Sequence, residues 1–266
     1  MKLLCPICRS ELTMADKSCR CGGGHCFDIA RQGYVNLLTV QQKHSLQPGD
    51  TKEQVSSRRE FLSGGYYAPI ADALCQTALR YGAEGPVLDI GCGEGYYSTR
   101  LAAALGGELV GLDISKEAVR RAAGTYKDAL WLCATAANLP LEDSSAGLVT
   151  SLFALTVPGE FHRVLKPDGL YFQVAAAEDH LLGLKSIIYP ALRKKAHPVE
   201  PAVEGFTLLE TIPIRFSFTV EGPQVQNLLS MTPHVYRISK EGAQRLAQTP
   251  QLTDTASCLL HVYRPL

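Results

Sequence analysis

The sequence predicts an α/β fold: a mostly parallel, seven-stranded sheet flanked by helices and preceded by a small cysteine-rich module. Seven short apolar segments predict the strands, and helical segments alternate with the first five of them. The predicted strands span residues 86–90, 108–114, 130–133, 148–153, 170–175, 211–219 and 257–263. A glycine-rich turn joins the first strand to a helix at 96–105, and the last two strands predict a terminal antiparallel pair.

Three regions are predicted along the chain. Residues 1–30 form the cysteine-rich module, residues 31–84 form a connector that is largely helical from 51 to 83, and residues 85–266 form the α/β domain. The composition, 46% hydrophobic and 20% charged, is ordinary for a globular protein. The sequence has no run of about 18 apolar residues. No secretory apolar segment follows Met1, so we expect a cytoplasmic protein without a transmembrane helix.

The first predicted strand ends in an acid, Asp89, and glycines follow at alternate positions, Gly91, Gly93 and Gly95. Glycine is required where the backbone turns sharply or lies against a ligand. The spacing differs from the Gly-x-Gly-x-x-Gly of dinucleotide sites, and a carboxylate at the strand end suits a cationic ligand better than a phosphate. The pattern resembles motif I of the class I methyltransferases, which have a Rossmann-like fold. That resemblance implies S-adenosyl-L-methionine (SAM) as the cofactor.

A second acid, Asp113, ends the next predicted strand, before a helix predicted at 116–123. An acid at this distance from the glycine loop is placed to accept hydrogen bonds from both ribose hydroxyls of an adenosine. Thr135 stands where many methyltransferases carry an acid that contacts adenine, so we expect that contact from the backbone near Ala136. The glycines alone could be a tight connection and Asp113 alone a helix cap. Their combination at this spacing favours a cofactor site.

The N-terminal module carries the ligand spacing of a zinc site: Cys5-x-x-Cys8, followed by Cys21-x-x-x-His25. Two short turns that offer two ligands each can close one tetrahedral site. Cys19 and Cys26 also lie within reach and could replace Cys21 or His25. A segment this small buries little core, so we expect a structural Zn²⁺. The alternatives are a redox Cys-x-x-Cys or unpaired thiols, and no βαβ pattern surrounds Cys5 to favour the former.

The charge balance argues against an extended nucleic-acid surface. The net charge is zero, whereas phosphate contacts require lysine or arginine. Local excesses exist: residues 1–60 hold nine basic and six acidic residues. A second basic cluster contains Lys185, Arg193, Lys194, Lys195 and His197. Either could be an ordinary solvated face.

Residues 25–67 carry a more specific pattern. They contain His25-Cys-Phe-Asp-Ile-Ala-Arg-Gln-Gly-Tyr-Val-Asn36, then Pro48-Gly-Asp50, Arg58-Arg59, and Gly65-Tyr-Tyr67. Together with the zinc spacing, this order is similar to the bacterial 23S rRNA guanine-N1 methyltransferases of the RlmA type. Those enzymes join a zinc ribbon to a class I methyltransferase domain.

The resemblance implies methylation of a guanine at N1 in a hairpin of 23S rRNA. It implies Cys5, Cys8, Cys21 and His25 as the zinc ligands and a homodimer as the assembly. It also implies cofactor contacts at Tyr67, Glu94, Gly95 and His180. Without it, Tyr67 would be a packed aromatic residue and His180 a surface or capping histidine. No residue is identified as the acceptor of the N1 proton. The candidates are acids or histidines at the carboxyl edge of the fourth and fifth strands.

The chain departs from the family pattern after the fourth strand. The family carries an Ile-Tyr-Ala-Pro-like segment there, whereas this chain has Ser151-Leu-Phe-Ala-Leu-Thr-Val-Pro158. Two other functions therefore stay open. The chain could be a small-molecule methyltransferase whose zinc module docks a protein partner, which the neutral charge favours. It could instead be a non-catalytic protein that binds SAM, zinc and rRNA, although the intact glycine loop and Asp113 argue against this.

Overall fold

Three strands near the N-terminus form a small antiparallel sheet in the computed structural model, which describes residues 1–43, 45, 48–192 and 201–266. They are β1 (Leu12–Ala15), β2 (Ser18–Cys21) and β3 (Cys26–Asp28). Glycines at 22–24 turn the chain between β2 and β3, and Gly24 has a φ of +83° that favours glycine. This sheet carries the cysteine-rich module.

Within the residues that the structure describes, the main sheet has eight strands. They are β4 (Val35–Asn36), β5 (Val87–Ile90), β6 (Leu109–Asp113), β7 (Leu130–Cys133), β8 (Ala146–Leu152), β9 (Leu165–Ala176), β10 (Phe206–Glu221) and β11 (Gln251–Pro265). Their order is β10-β11-β9-β8-β5-β6-β7-β4. Strands β4 to β9 run parallel to one another, β11 runs antiparallel to β9, and β10 runs antiparallel to β11. The predicted mostly parallel α/β sheet is confirmed, with the antiparallel pair at its end.

The eighth strand, β4, was not predicted. It lies in the connector and pairs with β7 through Val35↔Leu132 and Asn36↔Cys133. Two residues are too few to show the alternation by which a strand is recognised in a sequence. The predicted seven-stranded sheet therefore becomes eight-stranded, and the connector is part of the sheet as well as helical.

Helices cover both faces of the sheet. They are α1 (Lys52–Ser63), α2 (Ala68–Arg80), α3 (Tyr96–Leu105), α4 (Lys116–Thr125), α5 (Pro158–Val164), α6 (Leu182–Ile188), α7 (Pro223–Ser230) and α8 (Lys240–Ala247). Helix α3 has the predicted bounds, and α4 extends two residues beyond its predicted end. Among the described helices, none is long and apolar enough to cross a membrane. Residues 193–197 of the second basic cluster lie outside the described part of the chain.

Strand β9 begins earlier than predicted, because a turn-like sequence forms a bulge inside it. Ala146 pairs with Leu165 and Leu148 with Leu170, so residues 166–169 have no single partner on β8. A Cβ on Gly169 would lie 2.8 Å from Leu165 Cγ and 3.0 Å from the Gly147 carbonyl oxygen. Proline and glycine commonly form turns, and here Pro167 and Gly169 supply the local kink that a bulge requires.

The small N-terminal sheet shares a core with the main sheet. Leu3 and Leu12 are buried in the same apolar cluster as Leu139 and Leu141, which follow β7. The backbone N–H of Leu4 donates to the Pro140 carbonyl at 2.9 Å, and Leu3 bridges Leu141. The cysteine-rich module is therefore fixed against the segment that follows β7.

Candidate active site and metal centre

The glycine loop lies at the carboxyl end of β5, where it leads into α3. Gly91, Gly93 and Gly95 have φ angles of +77°, +56° and +88°, a region that L side chains rarely adopt. A Cβ on Gly91 would lie 2.6 Å from the Ala154 Cβ, and one on Gly95 would lie 2.6 Å from Trp131 Cη2. These glycines therefore let the loop turn sharply and pack closely against Ala154 and Trp131, at the edge of the sheet where open α/β folds bind ligands.

Replacing Gly95 with alanine is expected to destabilise the protein by about 2–4 kcal/mol, from overpacking against Trp131 and from the left-handed backbone. Gly124 offers the matched control. It lies in α4, and a Cβ there meets nothing within 4 Å. Gly124→Ala should leave stability unchanged or raise it by about 1 kcal/mol. Urea unfolding curves of the two variants test the difference, and equal midpoints would show that Trp131 does not constrain the loop.

Asp89 is buried at the end of β5 and is held by two hydroxyl groups. Ser98 Oγ donates to one carboxylate oxygen, and Thr150 Oγ1 donates to the other at 2.7 Å. Burial raises the pKa of Asp89 to about 6, against the lowering effect of these two hydrogen bonds. The carboxylate thus joins α3 and β8 beneath the loop, and its predicted contact with the cofactor stays a prediction.

Asp113, at the tip of β6, fixes the loop from the other side. One carboxylate oxygen accepts from the Gly93 N–H at 2.9 Å and the other from the Ser115 N–H at 2.8 Å. Burial raises the pKa of Asp113, while the two backbone donors oppose that shift. Each carboxylate oxygen has a second lone pair free for a ligand hydroxyl.

The connector closes over this acid. Gly49 has a φ of +80°, and a Cβ there would lie 2.8 Å from the Ser115 backbone nitrogen. Ser115 Oγ donates to the Asp50 carbonyl at 2.7 Å. The Asp50 carboxylate accepts from Arg58 Nη2 at 2.5 Å, which joins the connector loop to α1.

Arg58 is a site residue that the sequence analysis did not assign a role. Its Cδ lies 3.9 Å from the Cβ position of Gly93, so the side chain crosses the glycine loop. Its Nε is buried and has no hydrogen-bond partner among the described residues. The only sequence signal was its place in the Arg58-Arg59 pair of the family pattern.

Glu94 is buried within the loop among arginines. Burial raises the pKa of Glu94, and nearby arginines oppose the shift, Arg59 most strongly. Arg59 Nη1 lies 4.0 Å from the Glu94 carboxylate and donates to Thr125 Oγ1 at 2.8 Å. This ion pair links α1 and α4 to the loop.

Tyr67 and His180 lie next to each other, with ring centroids 6.3 Å apart. Tyr67 is only 2% exposed, packs edge-on against Phe216 and Phe218, and its hydroxyl has no partner among the described residues. Burial raises the pKa of Tyr67. The neighbouring Phe153, at the tip of β8, is 42% exposed and lies 6.1 Å from the His180 ring.

The segment predicted to contact adenine follows β7 beside Asp113. The Ala134 N–H donates to the Asp113 carbonyl at 3.1 Å, and the Ala137 N–H donates to Thr135 Oγ1 at 3.2 Å. Thr135 therefore stabilises a turn in the backbone, because its hydroxyl oxygen accepts a hydrogen bond from the nearby Ala137 N–H. The predicted adenine contact through the backbone near Ala136 stays a prediction.

Four side chains of the N-terminal module converge on one point: Cys5, Cys8, Cys21 and His25. Their donor atoms all lie within 4.8 Å of one another. The Cys8 and Cys21 sulfurs are 3.6 Å apart, and His25 Nδ1 is 3.4 Å from Cys21 Sγ. A tetrahedral zinc ion with Zn–S of about 2.3 Å and Zn–N of about 2.0 Å sets ligand separations of roughly 3.5–3.8 Å. Three thiolates and one imidazole therefore fit zinc.

Cys19 and Cys26 do not belong to this cluster. Cys19 is buried in β2 opposite Met14, and Cys26 is exposed in β3 opposite Arg20. Residues 19 and 21 both lie on β2, but only Cys21 reaches the other ligands. The structure thus favours the His25 ligand set over the two alternatives.

The residues of the main site also fit SAM. Its ammonium and sulfonium suit the acids around the loop, its ribose suits Asp113, and its carboxylate suits uncommitted donors. Two buried polar atoms that have no partner within the described part of the chain, Tyr67 Oη and Arg58 Nε, are available for such a ligand. Fold and site together define a class I SAM-dependent methyltransferase that carries a zinc-binding module.

Comparison with known proteins gives the same class and a narrower family. A zinc-ribbon family described as "RlmA, N-terminal" matches residues 3–46, and one described as "Methyltransferase domain" matches residues 87–169. The 23S rRNA (guanine(748)-N(1))-methyltransferase of Streptomyces fradiae is 34% identical, covering 99% of this chain and 97% of that protein. A Bacillus subtilis protein assigned as a 23S rRNA (guanine-N(1)-)-methyltransferase is 32% identical over 92% and 90%.

Among solved structures, a protein described as a type II methyltransferase from Anaeromyxobacter dehalogenans has a TM-score of 0.51 and 18% identity, covering 73% of this chain and 94% of that one. This likeness supports the fold alone. The near-full-length relatives show more: the chain belongs to the 23S rRNA (guanine-N1)-methyltransferase family with an RlmA-type zinc ribbon.

Proposed function

We propose that this protein transfers the methyl group of SAM to N1 of a guanine in a hairpin of 23S rRNA. The observation that carries the proposal is the joint arrangement: one zinc ribbon packed on one class I methyltransferase sheet, in a chain similar over nearly its full length to enzymes named for that reaction. A small-molecule methyltransferase needs no such ribbon.

The site residues have distinct roles in this proposal. Gly91, Gly93 and Gly95 let the cofactor lie against backbone, and Asp113 accepts its ribose hydroxyls. Bound SAM supplies an electrophilic methyl group on sulfur. The remaining cofactor contacts are assigned to Tyr67, Asp89, Glu94 and His180. Zinc is assigned to Cys5, Cys8, Cys21 and His25, where it is structural because four protein ligands leave no open position.

The target base is proposed to stack on Phe153. A base inside a hairpin must be unstacked before its N1 edge can meet the methyl group, and aromatic side chains commonly receive such bases. Phe153 is a non-glycine residue with a φ of +54°, held by its N–H donating to the Val174 carbonyl at 2.9 Å. An exposed, strained aromatic residue at a strand tip beside the cofactor site has the geometry for this role.

Phe153→Ala is expected to raise KM for 23S rRNA by about 5- to 150-fold, since base–aromatic stacking contributes about 1–3 kcal/mol. The Kd for SAM should stay within about twofold. Leu79→Ala, at an exposed apolar residue of α2, is the surface control and should change neither. Steady-state kinetics and calorimetry measure the two constants. An unchanged KM in Phe153→Ala would place the base elsewhere.

The function is tested by offering labelled SAM to 23S rRNA from a strain that lacks the gene, in parallel with a small-molecule extract from the same strain. Label in the rRNA, absent with fully modified rRNA, supports the proposal. Label only in small molecules would contradict it. SAM binding without any transfer would contradict the enzymatic role.

Cellular location and assembly are part of the same proposal. The protein is proposed to act in the cytoplasm, where rRNA is available, and as a homodimer, as the family resemblance implies. Residues 1–30, 31–84 and 85–266 are proposed as the zinc ribbon, the connector and the catalytic domain, with the first two supplying RNA contacts. Light scattering of the purified protein at several concentrations tests the dimer; a constant monomer mass would exclude it.

A further inference from the structure

The imidazole of His180 takes the place of a backbone acceptor at the end of a sheet ladder. The last pair between β11 and β9 is Cys258↔Ala176. Beyond it, the Ala177 N–H still donates to the Ser257 carbonyl at 2.9 Å. The Ser257 N–H, which would next require a carbonyl from the departing chain, instead donates to His180 Nδ1 at 3.2 Å.

This contact fixes where the ring carries its proton. A backbone N–H can only donate, so Nδ1 must be the acceptor nitrogen. In a neutral imidazole the other nitrogen, Nε2, then carries the hydrogen. Cys258 Sγ lies 3.6 Å from the same Nδ1, as a second possible donor to it. Nothing in the described part of the chain accepts a hydrogen bond from Nε2.

The surroundings keep the ring neutral at physiological pH. Burial is the main cause, and it lowers the pKa of His180 to about 4. Among the titratable groups near the ring, Lys185 and His234 lower the pKa of His180 further, and Asp254 raises it. Tyr67 and Phe153 flank the ring as uncharged aromatic groups. A neutral ring with Nδ1 occupied has no free lone pair on nitrogen.

We infer that His180 is a fixed hydrogen-bond donor to an oxygen of the bound reactants, and that it does not accept the N1 proton of the guanine. The inference rests on the proposed function for the identity of that oxygen. Two oxygens share the required chemistry: the cofactor carboxylate and guanine O6. The cofactor carboxylate is already anionic. Guanine O6 becomes anionic during the reaction, because loss of the N1 proton places negative charge on it.

The step then balances without a histidine base. The N1 proton leaves to solvent water, and the electron pair left on N1 forms the new bond to the methyl carbon. The carbon–sulfur bond breaks and its electrons stay on sulfur, which gives neutral S-adenosylhomocysteine. His180 acts on this step only through its donated Nε2–H, as preorganised donors do for developing negative charge.

Two substitutions separate the two nitrogens of the ring. His180→Gln keeps an N–H donor near the position of Nε2, whereas His180→Asn keeps an acceptor near Nδ1 for Ser257 but loses the donor. We expect His180→Gln to retain kcat/KM within about fivefold and His180→Asn to lose about 10²-fold, the usual cost of one such donor. Thermal melts of both variants check that the β9–β11 junction stays folded.

The measured constants identify the acceptor oxygen. A higher Kd for SAM in His180→Asn assigns the cofactor carboxylate as the acceptor. A lower kcat at unchanged Kd assigns guanine O6. Either result supports the donor role. The donor role is overturned if His180→Asn is active and His180→Gln is not. It is also overturned if wild-type activity falls below pH 7 through a limb that His180→Gln removes.

Nitrogen-15 NMR of the histidine-labelled protein tests the tautomer without rRNA. We expect a protonated Nε2 and an unprotonated Nδ1 from pH 6 to 8. A proton on Nδ1 overturns the inference. Failure of rRNA methylation with the expected tautomer would refute the proposed function and leave the ring assignment standing.

Discussion

Asp113→Asn is expected to weaken SAM binding by about 10²-fold or more. The wild-type carboxylate accepts from the Gly93 and Ser115 N–H groups and is assigned the ribose hydroxyls as well. An amide retains one acceptor oxygen and turns the other position into a donor that faces an N–H. Hydrogen bonds to charged groups contribute about 1.5–3 kcal/mol each. The substitution weakens both the hydrogen bond that holds the loop at Gly93 and those assigned to the ribose.

Calorimetric titration of SAM measures this effect. Asp128→Asn is the matched control, because Asp128 is exposed in the turn between α4 and β7, and it should bind SAM as the wild type does. A Kd for Asp113→Asn within threefold of the control would remove the ribose assignment. It would also leave Asp113 as a group that only organises the loop and positions Ser115, the N-cap residue of α4.

Removal of zinc is expected to unfold the N-terminal module and to weaken SAM binding by about tenfold. The module is held by one metal cluster and a small core, and binding of structural zinc in such modules contributes roughly 10 kcal/mol or more to folding. Its Arg9 lies between Cys8 and Ser10 in the first ligand turn. Arg9 Nη1 donates to Asn138 Oδ1 at 3.2 Å and to the Leu139 carbonyl at 2.8 Å.

The hydrogen bonds of Arg9 connect the turn that carries Cys8 to the segment predicted to contact adenine. Asn138 Nδ2 also donates back to the Pro6 carbonyl at 3.2 Å, so the two segments hold each other. Arg163 separately donates to the carbonyls of Leu139 and Leu141, at 2.9 and 2.8 Å. This second support is the reason for expecting a tenfold effect on SAM affinity rather than a complete loss.

Cys21→Ser and Cys26→Ser test the metal prediction as a pair. Cys21→Ser should lose zinc, lower the melting temperature and raise the Kd for SAM. Cys26→Ser should keep the zinc content, melting temperature and Kd of the wild type, because Cys26 lies outside the cluster. Metal content by mass spectrometry, a thermal melt and calorimetry provide the readouts. Arg9→Ala should keep zinc yet weaken SAM binding by about fivefold or less. Full zinc content in Cys21→Ser would contradict the ligand set.

Much of the fold follows from local sequence. Strand β7 is observed as predicted and β5 within one residue, because buried parallel strands are short apolar runs bounded by turn residues. Helix α3 begins after Gly95 and ends before Gly106, both of which have positive φ. The long β10 and β11 extend well past their predicted bounds. The added residues of β10 are mostly exposed, and those of β11 alternate between exposed and buried positions with the acid Asp254 at a buried one, so neither addition forms an apolar run.

The sequence marks a candidate site where a motif has a diagnostic spacing, and it does not do so where distant segments meet. The glycine loop, Asp113 and the Cys5, Cys8, Cys21 and His25 cluster each have such a spacing, and their roles stay predictions. The grip of Arg9 on Leu139 joins residues 130 apart, and nothing local to either marks it. Likewise, the Ser257 N–H that fixes the His180 ring lies 77 residues away, on a strand whose register no local pattern determines.

The most direct test of the central claim is to map the methylated nucleotide in 23S rRNA after reaction with the purified, zinc-loaded protein. The predicted result is one guanine, methylated at N1, that blocks reverse transcription because its pairing edge is occupied, and no such stop with Asp113→Asn. Methylation at another atom, on many nucleotides, or on no RNA while SAM still binds would contradict the proposed reaction.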